Sequence, residues 1–341
     1  MLRSTLSALI VGTVLAVATS ANAQTDIAWG TSAVGSSGHK ALVTLATVLN
    51  REMKNYRVTV QPTPGAIVTV KGYATGKFGG YFGSDIAFYE LANDTARFKG
   101  FKANIKRQPV QSFWAFTLEV GLGIAAKQAS TIKRWHDLAG KNVFTGPLPW
   151  DTRAQAERAL ATLGIKHRYS EVDLATVGSV LNSGRIAGLT VYTSAESSTA
   201  PWLTEMSLSA DWAVLNPSAD EIAALRKAGF APVQVDTKVF KRDVHAAKAT
   251  FLPFYYGFHV GLEVPEADVY QMLKVIESRV DELAKGDRAF AQIKAGMAAM
   301  QKRGVESSVK FVPVHPGLAK YMREKGVWDA KWDGRIAKQS S

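Results

Sequence analysis

The chain has no cysteine, which excludes disulfides, thiolate metal sites and cysteine nucleophiles. Its six histidines (His39, His136, His167, His245, His259 and His315) show no H-E-x-x-H or comparable pairing, so a zinc hydrolase lacks its ligands. There is no G-x-S-x-G; Gly35-Ser36-Ser37-Gly38 is too short a match for a nucleophile elbow. Gly76-Lys77 lacks both the upstream glycine and the following hydroxyl of a P-loop. After residue 23 no stretch is long and apolar enough to cross a membrane. A long basic run is also missing. The 41 Lys+Arg against 29 Asp+Glu give a formal charge of +12, but the cations are scattered. A nucleic-acid binder would concentrate them, so this charge reads as a solvated surface with a bias towards anionic ligands.

What is present begins with a leader. Arg3 gives a positive start, residues 6–18 are apolar, and Ala21-Asn22-Ala23 is a small-x-small cleavage site before Gln24. The pattern predicts a cleavable secretory signal peptide over residues 1–23; as an uncleaved anchor the apolar core is short. The mature chain is expected in the periplasm, and its length suits two domains.

Residues 27–40 read as a strand, a small-residue loop and a helix N-terminus. The apolar run 27–29 suits a buried strand, and Leu42, Leu45, Ala46, Leu49 and Met53 share one helix face. Between them, Gly35, Ser36, Ser37 and Gly38 let a ligand approach backbone closely. The free N–H groups that open such a helix can hold a carboxylate or phosphate. The alternative is an ordinary strand–helix turn with Ser37 as N-cap.

The same unit recurs. A strand at 57–61 breaks at Pro62-Thr63-Pro64-Gly65, and Ala66 opens a short helix. Ser84-Asp85 can cap the next one, Asp85 as a cap rather than as a ligand-facing charge. Residues 93–107 read as polar surface. Residues 113–126 are apolar and strand-like; they contain Gly121-x-Gly123-x-x-Ala126, but no periodic helix opens at Ala126, so a dinucleotide fingerprint is rejected. A strand at 141–145 and a loop at 146–151 lead into a helix with Ala156, Ala159, Leu160 and Leu163 on one face and Asp151 as its expected N-cap. A strand at 167–172, a helix around 174–181, a strand at 186–192 and a helix at 195–206 follow. Ser218 and Glu221 form a capping box. Residues 248–262 return to long aromatic-rich strand character, with Phe254-Tyr255-Tyr256 as hinge packing in which one tyrosine can also reach a ligand. Pro265 then starts an amphipathic helix through Val269, Met272, Leu273, Ile276, Val280 and Leu283. Alternating strands and helices predict two α/β domains with largely parallel sheets. The two long strands are two crossings between them.

Near the C-terminus, Val312-Pro313-Val314-His315-Pro316-Gly317-Leu318-Ala319-Lys320-Tyr321-Met322-Arg323-Glu324-Lys325-Gly326 resembles the "PLHPGAxxYYxEKG" signature of the TAXI-type solute-binding subunits of tripartite ATP-independent periplasmic (TRAP) transporters. Gly35 to Gly38, Thr63-Pro64-Gly65-Ala66 against "TGGS", Ser84-Asp85 against "QSD", and Asp137-Leu138-Ala139-Gly140-Lys141-Asn142-Val143 against "DLKGKRV" extend the resemblance over essentially the whole mature chain. It departs at His39-Lys40, where aromatic residues are usual, at Pro149-Trp150-Asp151-Thr152, where "GSGT" is usual, and at residues 182–188, which lack the aspartate of "DGxIDA".

The resemblance implies an α/β, type II periplasmic solute-binding fold: two α/β lobes joined by two hinge strands around a central ligand cleft. The expected lobes are residues 24–118 completed by 258–341, and residues 125–250, with hinges at 113–126 and 248–262. It implies a non-enzymatic, monomeric binder without cofactor or metal, which captures a small organic anion, a carboxylate or amino acid, and delivers it to a TRAP permease membrane subunit. A periplasmic sensing adaptor of the same fold, or a secreted enzyme, are the alternatives. The expected ligand residues are Ser36, Ser37, Gly38, Thr63, Gly65, Ala66, Ser84, Trp150, Asp151, Thr152, Arg153 and Tyr192. Trp150 either covers a domain edge or lies over a planar part of the ligand. Arg153 sits in a first helical turn, unfavourable for a cation; it is exposed surface or a bidentate ligand contact. Tyr192 is placed by a strand end. His315 is expected to be structural.

Overall fold

A computed structural model describes residues 24–338. The expected leader, residues 1–23, lies outside the described residues. The chain first alternates β1 (Thr25–Thr31), α1 (Ser37–Glu52), β2 (Tyr56–Pro62), α2 (Ala66–Ala74), β3 (Gly80–Ser84) and α3 (Asp85–Asn93). The long β4 (Trp114–Ala125) leads to β5 (Asn142–Phe144), α4 (Asp151–Thr162), β6 (Arg168–Tyr169), α5 (Val177–Asn182), β7 (Gly188–Ser194), α6 (Pro201–Ser209), β8 (Trp212–Leu215), α7 (Ala219–Lys227) and β9 (Val233–Asp236). The long β10 (Lys248–Val260) returns, and α8 (Glu266–Ser278), α9 (Val280–Gly286), α10 (Ala291–Ser308) and α11 (Pro316–Glu324) follow.

The strands form one path in the order β2-β1-β3-β10-β4-β7-β5-β6, with β8 on β4 and β9 on β10. Two separate, largely parallel sheets were expected. Parallel pairing is confined to the two ends, β1 with β2 and β3, and β5 with β6 and β7. Every antiparallel pairing between two of these strands involves β4 or β10. These two strands pair with each other from Leu252↔Val120 to Gly257↔Trp114, with a register shift between Tyr256 and Gly257. They join the two parallel ends of the sheet.

The pairing explains why Gly121 stands in β4. A Cβ there would lie 2.1 Å from the ring of Phe251, which is fully buried. The glycine thus makes room for an aromatic ring on the neighbouring strand rather than for a dinucleotide, and only a 3-10 turn, Ala126–Gln128, follows it.

Several boundaries differ from expectation for local reasons. Ser36, not Ser37, caps α1 and accepts from His39 N at 3.2 Å. Ser84, not Asp85, caps α3. Asp151 is not a cap: Trp150 holds that position without a side-chain bond, and Asp151 is the first residue inside α4. The helix expected over 195–206 starts at Pro201, because Ala195 and Glu196 adopt left-handed backbone (φ 55° and 54°) and Pro is suited to the first helical turn. The helix after Pro265 ends at Ser278; Arg279 departs from helical geometry and α9 begins anew, which turns Leu283 into the core. β8 and β9, four residues each, are too short to show a period. His315 caps α11: Nδ1 accepts from Gly317 N at 3.1 Å, and Nε2 lies 3.0 Å from the Val264 carbonyl. Burial lowers its pKa to about 4.

Candidate functional site: the cleft between the sheet ends

Three helix N-termini converge where β3, β4, β7 and β10 meet. At α1, Ser32 and Ser36 hydroxyls lie 2.7 Å apart, and the Ser37 hydroxyl lies 2.8 Å from that of Ser194 at the end of β7. Gly38 sits under the ring of Phe82, to which a Cβ would come within 2.3 Å. At α2, Gly65 is the cap and Ala66 opens the helix. At α4, Trp150 donates its Nε1–H to the Pro64 carbonyl at 2.9 Å and so ties the two loops together.

Between these termini lies a cavity of about 20 Å³, lined by Ser32, Ser36, Ser37, Gly38, Ala66, Phe82, Leu118, Trp150, Asp151, Thr152, Tyr192 and Tyr256. That is room for about one water. An organic solute therefore requires the cleft to open. The walls are aromatic: Trp150 packs edge to face on Tyr192 and Trp202 with centroids 6.4 and 6.3 Å apart, Tyr192 and Trp202 lie tilted at 5.9 Å, and Phe82 stacks on Tyr256 at 4.0 Å.

Asp151 is the one carboxylate in the lining, and it is 1 % exposed. Its Oδ2 accepts from Ser84 Oγ at 2.6 Å and from the Tyr256 hydroxyl at 2.7 Å; its Oδ1 accepts from Arg97 Nη1 at 2.5 Å. Arg97 also donates to Glu90 at 2.8 Å. Such charge-assisted bonds offset the desolvation of a buried carboxylate only when its oxygens are well partnered, as here. Burial raises the pKa of the neighbouring Asp85 to about 7, against backbone bonds from Tyr255 and Ile86 and the attraction of Arg158.

Of the expected ligand residues, Ser36, Ser37, Gly38, Ala66, Trp150, Asp151, Thr152 and Tyr192 come together around this cavity. Thr63, Gly65, Ser84 and Arg153 do not line it. The Thr63 hydroxyl is spent on Thr31 and Gly65 carbonyls, both at 2.9 Å. Ser84 holds Asp151. Arg153 faces a different cavity, stacked on Tyr169 at 4.2 Å and paired with Glu157 at 3.4 Å. Trp150, expected either at an edge or over the ligand, is 6 % exposed and bridges the cleft. Residues missed from the sequence are Ser32, Phe82, Leu118 and Arg97; of the two tyrosines of which one was expected to reach a ligand, it is Tyr256 that lines the cavity. The segment 93–107 was expected to be surface, yet Arg97 is largely covered and Phe98 fully buried, because the charge of Arg97 is needed at Asp151.

The arrangement is that of a type II periplasmic binding architecture. The chain matches the NMT1-like family over residues 29–326 and belongs to it. No curated protein matches the chain. Among solved structures it is similar to MatC from Rhodopseudomonas palustris with bound malate, at 9 % identity and a TM-score of 0.52 over 84 % of this chain and 97 % of that one. It is also similar to the periplasmic aliphatic sulphonate binding protein SsuA from Escherichia coli, at 12 % identity and a TM-score of 0.42 over 92 % and 94 % of the two chains.

Proposed function

We propose that the protein is a non-catalytic extracytoplasmic solute-binding protein. In this reading it captures a small organic anion, a carboxylate or amino acid, and hands it to a TRAP-type permease. The observation that carries the reading is the convergence of the α1, α2 and α4 N-termini, with the hydroxyls of Ser36, Ser37 and Thr152, on one aromatic-walled cavity. Free N–H groups at these ends favour an anion without a dedicated cation. Asp151 does not oppose this, because Arg97 neutralises it. Family membership and the fold support a binding role. The resemblance of residues 312–326 to the TAXI signature supports a TRAP permease as receiver. Export by cleavage after Ala23 and a monomeric state belong to the same proposal.

The lobes in this reading are residues 24–118 with 258–341, and 125–250, closing about 113–126 and 248–262. A thermal-shift screen of carboxylates, amino acids, sugars and cations, followed by calorimetry of the hits, tests it. A carboxylate hit with compaction by solution scattering is expected. Tight binding of a sugar or cation, with no carboxylate bound, overturns the ligand class.

A further inference from the structure

We propose a second binding site, for an organic monocarboxylate with an apolar body, in the cavity between α3 and α4 on the outer side of the Arg97–Asp151 pair. This cavity has a volume of about 480 Å³, within the range of small-molecule sites, whereas the central one holds about 20 Å³. It is lined by three arginines, Arg97, Arg153 and Arg158. The carboxylates that share the lining, Glu90 and Glu157, are already engaged, Glu90 by Arg97 and Glu157 by Arg153, His167 and Thr145. Arg158 has no ion pair among the described residues; its head lies over the Phe230 ring at 4.6 Å and donates to Gln155. Arg158 is also exposed, so its guanidinium is open to a ligand in this cavity. A carboxylate supplies two oxygens in the geometry guanidinium groups bind.

The apolar requirement comes from the rim. Leu148 and Tyr89, 58 % and 45 % exposed, are two of the few large hydrophobic side chains left open to solvent among the described residues, and both line this cavity with Ile86 and Ala154. An apolar patch beside the exposed, unpaired Arg158 fits an amphipathic acid and disfavours an inorganic ion or a sugar. The site is distinct from the central cavity but spans the same two proposed lobes, so it rests on that reading and forms when they are closed.

The test titrates octanoate into the full mature protein by calorimetry, with octanamide as the uncharged control. One octanoate per chain is expected, with octanamide at least tenfold weaker. The Arg158→Gln variant should weaken octanoate at least tenfold, and the Leu148→Asp variant should abolish it. Both substitutions are at exposed positions, and thermal melting confirms that the variants fold. The Ser37→Ala variant should bind octanoate as the parent does. The site is refuted if octanoate shows no binding at millimolar concentration, if octanamide binds equally well, or if neither Arg158→Gln nor Leu148→Asp weakens it. Loss of octanoate in the Ser37→Ala variant would place the probe in the central cleft, overturning the second site while leaving the proposed function intact.

Discussion

Arg97 and Asp151 meet at 2.5 Å across the cleft, one from the turn after α3 and the other from the first turn of α4. The same aspartate takes Ser84 and Tyr256, so a single carboxylate holds three donors from the opposite wall. Replacing it should therefore loosen closure more than either lobe. Breaking a buried pair by removing one partner costs about 3–5 kcal/mol where the other charge stays stranded. Here Arg97 keeps Glu90 and can regain water as the cleft opens. The Asp151→Ala variant is expected to show a larger radius of gyration without ligand and a loss of stability below that range. An unchanged radius would show that Asp151 does not act as a latch.

Glu119 lies fully buried in β4, accepting from Thr117, from Thr193 at 2.6 Å and from Glu196 N at 2.9 Å. Burial outweighs these bonds and raises its pKa from 4.5 to about 8. The folded form thus retains a proton that the unfolded chain releases. The contribution of this group to stability falls as pH rises from about 4.5 to about 8 and is level on either side. In urea titrations across that window, the Glu119→Gln variant should gain relative to the parent as pH rises. A constant difference between the two proteins would remove Glu119 as the source.

His315 works in the opposite direction. Its folded pKa is lowered from 6.5 to about 4, so the unfolded chain binds the proton first. The stability it contributes is complete above about pH 6.5 and is lost as pH falls towards 4. Replacing His315 by Asn should flatten this acid-side decline in melting temperature while lowering the melting temperature at neutral pH. An acid limb as steep as the parent's would assign the decline elsewhere.

Gly121→Ala should destabilise by about 1–3 kcal/mol, the range for forcing extra bulk into a packed core. The ring of Phe251 fills the space the new methyl needs. A second change, Phe251→Leu, should restore part of that loss in denaturation measurements. Additive losses in the double variant would mean that the two positions do not share the space.

At the central site, Ser37→Ala should weaken a carboxylate ligand by about 1 kcal/mol, the net worth of one hydrogen bond. Trp150→Ala removes a 6 % exposed ring that packs on Tyr192 and Trp202 and bonds Pro64, and should cost stability in the roughly 3–5 kcal/mol range of large-to-small core changes. Calorimetry and melting curves on the two variants separate the roles. A fully stable Trp150→Ala protein would make the ring a ligand contact alone.

Local periodicity made much of the fold legible. The apolar face of α1, the capping box of Ser218 and Glu221, and the unbroken apolar runs of β4 and β10 each depend on residues within a few positions of one another. The residues at the α1 and α4 N-termini were legible as lining for the same reason. Arg97 was not, because its partner lies 54 residues away and nothing nearby in the chain signals it. Tyr256 meets Asp151 across 105 residues. The direction of Arg153 was likewise unreadable: it depends on Tyr169 and Glu157 offering a nearer resting place than the cleft.

The position of β10 in the sheet also sets the order in which the molecule can assemble. β3 pairs on one side with β1 and on the other only with β10, as Phe82 does with Phe258. Until residues 248–260 have emerged and returned, β3 keeps an unpaired edge, and β4 has only its β7 and β8 partners. Closing so large a loop is slow because its entropy must be lost before any pairing compensates. The early part of the chain is thus a template awaiting its last strand, with unpaired edges of the kind that another chain can pair with until β10 covers them.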